Sequence, residues 1–264
     1  MYDFEYHRPT SVDAAIAAAT QLGKRKLLAG GMSLLPALKQ RLARHAGLVD
    51  LNAIAALKGI EHDGQDLVIG AMTAHAVVAA SSLVSSTIPA LAVLAGGIGD
   101  PLVRNRGTIG GSIANADPAA DYPAAVLGLD ATVVTNQRCI AAAEFFTGLF
   151  ETALRAGEII TAVRFPLPLA AGYAKFRQPA SRFALVGVFV ARTTAGVRVA
   201  VTGARPAVFR WTQAESTLSA RFDAAAIDTV ELSGDDMNAD MHASAEYRTH
   251  CVRVMAKRAA LATR

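Results

Sequence analysis

The residues of this chain best suited to chemistry are two glycine pairs rather than an acid, a base or a thiol. Ala29-Gly30-Gly31-Met32-Ser33 and Thr108-Ile109-Gly110-Gly111-Ser112 each follow an apolar segment and precede a run with helical spacing. Paired glycines permit positive φ and let a bulky ligand approach the main chain, and a reversal that leads into a helix leaves backbone N–H groups free for an anion. The two loops together would cradle both phosphates of a dinucleotide as backbone nests. The competing reading is a pair of ordinary tight turns, and composition alone does not separate the two. Neither loop fits G-x-G-x-x-G, and G-x-x-x-x-G-K-[ST] is absent, so a Rossmann or P-loop site is disfavoured.

The second loop sits in a polar stretch, Asn105 to Pro123, that also holds Asp117 and Asp121 on either side of Pro118. Both carboxylates cannot face a diphosphate, because like charges repel. Asp121, nine residues beyond Ser112, either accepts hydrogen bonds from sugar or ribityl hydroxyls or caps the next helix. Asp117 reads as a turn residue, and Arg104 and Arg106 as solvated side chains or phosphate contacts. The six histidines show no metal-ligand spacing, no G-x-S-x-G elbow occurs, and no catalytic side chain is nominated. Glu144 and Glu158 read as surface or capping residues, Trp211 and Phe145-Phe146 as core.

Positioning such loops requires elements on either side of each. From Ser11, "SVDAAIAAATQLG" reads as a helix capped by Thr10 or Ser11 and stopped by Gly23. Lys26 onward is a short strand, Leu34, Leu38 and Leu42 share a helical face, and Leu48 to Leu51 is strand-like, an alternation that favours a small parallel sheet. Residues 67–71 read as a strand, 88–99 as a buried helix, 121–129 as a helix, and 131–134 and 158–168 as strands closed by Pro166 and Pro168. Beyond that boundary, 183–193 and 197–204 form an antiparallel hairpin about Ala195-Gly196. The last helix, 243–262, gathers Tyr247, Cys251, Val254, Met255 and Leu261 near one face.

Size and composition bound the rest. The 264 residues suggest two packed units, and 52% hydrophobic against 18% charged residues excludes disorder. A net charge of +4 with scattered cations gives no nucleic-acid stripe, and two cysteines are too few for a disulfide framework, an iron–sulfur cluster or structural zinc. With no leader pattern and no apolar run near the about 18 residues of a membrane span, a cytoplasmic protein is expected, with attachment to the inner face of the membrane left open.

In this order, "FEYHRPTSVDAA", "LLAGGMSLLPALKQRL", "LVDLNAI", "VIGAMT", "RNRGTIGGSIANADPAADYPA", "EIITAVRFPLP", "YAKF" and "AEYR" resemble the FAD-binding medium subunits of molybdenum hydroxylases, as in carbon monoxide dehydrogenase and xanthine dehydrogenase. The resemblance spans nearly the whole chain, and its most specific marks are the two glycine loops. It implies an α+β fold: two α/β subdomains of the FAD-binding type shared with vanillyl-alcohol oxidase (1–168, divided near 55), then a C-terminal antiparallel sheet with helices (169–264). It implies that Leu28, Ala29, Gly30, Gly31, Met32 and Ser33, with Thr108, Ile109, Gly110, Gly111 and Ser112, wrap the FAD diphosphate. Asp121 would bind along the ribityl or ribose chain, Ile98 would lie near the flavin ring, and Lys175 near the isoalloxazine edge. Ser112 stands where many relatives carry asparagine, and Phe183 near where some carry a tyrosine.

The function implied is an electron-transfer subunit that takes electrons from the [2Fe–2S] clusters of a small partner and passes them to an external acceptor. Molybdopterin would sit on a large partner, in a dimer of heterotrimers. A self-contained flavin oxidase or reductase, and a flavin-free assembly or nucleotide-binding protein, are the alternatives.

Overall fold

The computed structural model describes residues 1–20 and 25–263, so the expected helix stop at Gly23 lies outside the described residues. The chain opens with β1 (Glu5–His7), α1 (Val12–Thr20), β2 (Arg25–Leu28), α2 (Leu34–Lys39) and β3 (Gly47–Asp50). Its three strands form the expected parallel sheet, in the order β1-β3-β2. Ser11 does cap α1, its hydroxyl oxygen accepting from the Ala14 amide at 3.2 Å. Because parallel neighbours need crossovers, β2 must turn back through α2, and the first glycine loop is that turn.

Two single-turn 3₁₀ helices, Leu51–Ala53 and Ala55–Leu57, lead to β4 (Ile60–Asp63) and β5 (Asp66–Gly70). Six helices follow: α3 (His75–Ala80), α4 (Ser82–Thr87), α5 (Pro89–Gly96), α6 (Pro101–Arg106), α7 (Ile109–Asn115) and α8 (Tyr122–Gly128). The chain then forms β6 (Thr132–Thr135), β7 (Cys139–Ala141), α9 (Ala142–Phe145), the small hairpin β8 (Phe146–Gly148) and β9 (Glu151–Thr152), and β10 (Ile160–Pro166). The strands pair antiparallel as β4-β5-β10-β6-β7.

The C-terminal sheet, β11 (Ala170–Arg177), β12 (Ala184–Thr193), β13 (Gly196–Thr202) and β14 (Phe209–Arg210), is antiparallel in chain order and carries α10 (Thr212–Ala220) and α11 (Ala245–Leu261). Thr193 pairs with Gly196, so the hairpin turn is Thr194-Ala195, with Gly196 at φ +129° just after it. Along α11 the buried side is Arg248, Cys251, Val252, Met255, Ala256, Ala259 and Ala260, whereas Tyr247 and Leu261 face solvent. Of the expected stripe, Cys251 and Met255 are buried and Val254 half-buried, while its two ends are not. Cys251 follows His250 directly, yet the thiol is buried and the imidazole exposed, since successive helix positions point about 100° apart.

α8 joins the two larger sheets. Its sequence, Tyr-Pro-Ala-Ala-Val-Leu-Gly, is apolar all round, and every residue is buried, as expected of a helix with no polar face. It shares one core with β5, β6 and β10 on one side and Phe189, Ala191 and Ala200 of the C-terminal sheet on the other. A Cβ on Gly128 would stand 3.1 Å from the Phe189 ring, so a small residue is needed where helix meets sheet. This packing brings the N-terminus of α8, with Asp121, beside Tyr173 and Lys175 of β11.

Candidate functional site

The two glycine loops touch. A Cβ on Gly30 would lie 2.6 Å from the Gly107 Cα and collide with the Arg106 carbonyl, and one on Gly111 would lie 3.0 Å from the Ala29 Cβ. Only glycine allows that approach, and Gly31 additionally takes φ +76°, a left-handed value that lets the chain leave β2 and enter α2. Within the first loop the backbone N–H groups of Gly30, Gly31, Met32 and Ser33 have no acceptor among the described residues, and the Ser33 hydroxyl makes no cap bond. These are unspent donors running from the buried Gly30 and Gly31 to the exposed Ser33, a fit for an anionic group.

The second loop differs from the sequence expectation. Its amides are committed: Ile109 N donates to Thr73 O at 3.2 Å, Gly110 N to Ala71 O at 2.8 Å, Gly111 N to Thr108 Oγ1 at 3.2 Å and Ser112 N to Thr108 O at 2.9 Å. These bonds knit the loop to the end of β5, and Thr108 caps α7. What the second loop contributes is closeness and side chains. Thr108 and Arg106 line a cleft of about 280 Å³ with Asn52, Lys58, Asn105, Met72, Ala74 and Val77. A larger open depression, about 570 Å³ beside Ile60 and α3, is walled by alanine, valine and serine and holds no charge for a phosphate.

Gly110 is also a fold residue. A Cβ there would meet the Ala71 carbonyl oxygen at 2.7 Å, so a bulky side chain would disrupt backbone packing itself. At Gly31 the first atoms met belong to the Leu35 side chain, at 2.8 Å, which can move.

At the far end of α6 lie the other expected site residues. Ile98 is half-buried, and its carbonyl and that of Gly99 each accept from Arg104 Nη1 at 2.9 Å. Lys175 Nζ donates to Gly97 O at 2.9 Å and Arg182 O at 3.0 Å, and pairs with Asp121 Oδ1 at 2.7 Å. Asp121 does not cap α8; it accepts instead from Lys175 and, at 2.6 Å, from the Tyr173 hydroxyl. Burial pushes its carboxyl above the usual range, with Lys175 and Tyr173 opposing. Asp117 is the turn residue expected, its Oδ1 accepting from Ala119 N. Phe183 is 46% exposed beside this group.

Asp50 and His75, packed behind the two loops, were silent in the sequence. Asp50, at the end of β3, accepts from Tyr6 OH at 2.5 Å and from the Asn52 backbone and side-chain amides at 2.9 and 2.8 Å. Burial raises its carboxyl, but Tyr6 and Asn52 together hold it below the ordinary range. His75 sits behind Gly107, its ring 5.3 Å from that of Tyr122; burial, then Arg104, push its pKa down to about 4. Its Nδ1 and the Tyr122 hydroxyl are buried without partners. Glu158, expected as a surface or capping residue, has a fully buried side chain that accepts from Thr135, Arg138 and the Arg155 amide, which compensates the cost of its charge. Among the described residues no cluster suits a metal ion, and no helix is long and apolar enough to cross a membrane.

Residues 2–168 match the family described as FAD binding domain in molybdopterin dehydrogenase. The chain belongs to that family. Over nearly its full length it is also similar to the carbon monoxide dehydrogenase medium chain of Hydrogenophaga pseudoflava, at 37% identity over 97% of this chain and 95% of that one. The 6-hydroxypseudooxynicotine dehydrogenase complex subunit alpha of Paenarthrobacter nicotinovorans is 35% identical over 97% and 92%. Among solved structures, reconstituted CO dehydrogenase from Oligotropha carboxidovorans superposes with a TM-score of 0.90 at 32% identity, covering 99% of this chain and 97% of that one. This member of the molybdopterin dehydrogenase FAD-binding family is therefore an oxidoreductase component with the α+β architecture of the carbon monoxide dehydrogenase medium chain. Its cofactor is FAD.

Proposed function

We infer that the chain is the electron-transfer flavoprotein of a multi-subunit molybdenum hydroxylase. It receives electrons from the [2Fe–2S] clusters of a small subunit and delivers them to an external acceptor, while molybdopterin resides on a large subunit of a dimer of heterotrimers. The observation that carries this reading is the seating of Gly30 against Arg106 and Gly107 beside four unspent amides. In it, Leu28 to Ser33 hold the diphosphate, with Thr108 to Ser112 as the opposing wall and Arg106 as counter-charge. Ile98 and Lys175 lie toward the flavin ring, and Asp121 along the ribityl or ribose chain. α6 has six residues and so measures about 9 Å, a separation of the two groups that suits a sugar-alcohol chain. Bound there, the flavin supplies a redox centre able to trade electron pairs for the single electrons of iron–sulfur clusters.

The protein's own work is placement. Residues 1–168 form the binding unit, divided near 55, and 169–264 the C-terminal unit whose Lys175 closes over Gly97. Relatives named for different substrates share this type of chain, which supports substrate selection on another subunit.

The test is purification of the full chain, alone and with its small subunit. One FAD per chain, and stopped-flow bleaching of the flavin absorbance when the prereduced small subunit is mixed in, are expected. A colourless chain that takes up no FAD on reconstitution would overturn the reading.

A further inference from the structure

Asn52 carries more hydrogen-bonding capacity than the fold uses. Its Nδ2 donates to Ala29 O at 3.0 Å and to Asp50 Oδ1 at 2.8 Å. Both neighbours are acceptors, so the amide nitrogen must face them and both its hydrogens are spent. The amide oxygen, Oδ1, is therefore turned the other way, and it has no donor among the described residues. It is not among the buried unpartnered atoms, and Asn52 lines the cleft of about 280 Å³. A fixed acceptor on a cleft wall selects a ligand with a donor at that point.

The ligand class follows from place and size, on the reading that the first loop binds the diphosphate. The cleft adjoins that loop through Ala29 and reaches Asn105 and Arg106, the end of α6 opposite Ile98. Its volume lies just below the roughly 300 Å³ at which pockets for drug-sized ligands begin, room for one nucleoside. Met72, Ala74 and Val77 supply apolar wall; Asn52, Lys58 and Arg106 supply the polar rim.

We propose that Asn52 is a cofactor-binding residue: its Oδ1 accepts a hydrogen bond from the adenosine half of the dinucleotide, from the exocyclic amine or the ribose 2′-hydroxyl. Its Nδ2 meanwhile anchors the Ala29 carbonyl, so one side chain both reads the ligand and sets the loop that holds the phosphates. Tyr6 and Asp50 fix the amide's orientation from behind.

The experiment is calorimetric titration of the flavin-stripped full chain with ADP, inosine diphosphate and 2′-deoxy-ADP, in the wild type and in Asn52→Ala. Wild type is expected to favour ADP over one analogue by about tenfold, the size of one good hydrogen bond, and Asn52→Ala to reduce that preference to within about twofold. The analogue affected identifies the donor. Should Asn52→Ala fail to fold by circular dichroism, Asn52→Ser replaces it. Equal wild-type affinity for all three nucleotides, or a preference that survives substitution, overturns the proposal while FAD retention leaves the site reading standing. A chain that binds neither FAD nor ADP overturns both.

Discussion

At the scale of single residues, the junction between the glycine loops depends on missing side chains. In Gly30→Ala the new methyl enters the space of the Arg106 carbonyl and Gly107, and forcing such overpacking costs on the order of 1–3 kcal/mol. Parting the loops should also lower FAD occupancy well below that of wild type, read from the ratio of flavin to protein absorbance; full occupancy in Gly30→Ala would contradict the site geometry. Gly31→Ala is expected to lose flavin at a stability cost of about 1–2 kcal/mol from its left-handed φ, below the loss in Gly110→Val, because the Gly31 methyl meets the movable Leu35 side chain first and the Gly110 side chain meets the Ala71 backbone. His75 gives a pH dependence. Its folded pKa, about 4, lies below the unfolded value near 6.5. Above about pH 6.5 the imidazole is neutral in both states and costs nothing. As pH falls from there toward 4 the unfolded chain gains a proton that the folded chain does not, so stability declines, by roughly 3 kcal/mol at most. Thermal melts from pH 7 to 4.5 should show a fall in Tm that is shallower in His75→Gln, and parallel curves for the two proteins would refute it.

At the scale of elements, Lys175 ties β11 to the start of α8 and to the end of α5, with Tyr173 adding a second bond to Asp121. Lys175 and Asp121 are nearly fully buried, and Lys175 also donates to Gly97 and Arg182. Removing one partner of a buried pair strands the other, at about 3–5 kcal/mol. Urea unfolding of Lys175→Met should show a loss of that size, and the double variant Lys175→Met/Asp121→Asn should recover much of it. Equal losses in the single and double variants would mean the pair is not coupled. The same clasp explains why Asp121 fails as a helix cap: the Tyr173 hydroxyl and the Lys175 ammonium are stronger partners than the first amides of α8.

At the scale of the molecule, three sheets meet so that no single one owns the site. β2 brings the first loop, the end of β5 and α6 bring the second, and β11 brings Lys175. For the whole complex the expectation is that the tagged chain, isolated from its own cells, copurifies with a [2Fe–2S] chain and a molybdopterin chain; recovery of the chain alone under gentle lysis would count against assembly.

The sequence by itself determined the elements whose periodicity is local. The parallel sheet, the helix α8 and the hairpin of β12 and β13 could be read because apolar spacing and turn residues report which side of an element is dry. The glycine pairs could also be read as reversals, since no other residue so readily permits that backbone. Only the tertiary structure decided which amides remain free, because hydrogen bonds from Gly110 to Ala71 and from Ile109 to Thr73 join positions about forty residues apart that no local pattern links. The partners of Asp50 and Asn52, the burial of His75 behind Gly107, and that of Glu158 follow from the same long-range packing. A side chain's chemistry is fixed by its type, but its partners are fixed by packing between distant segments.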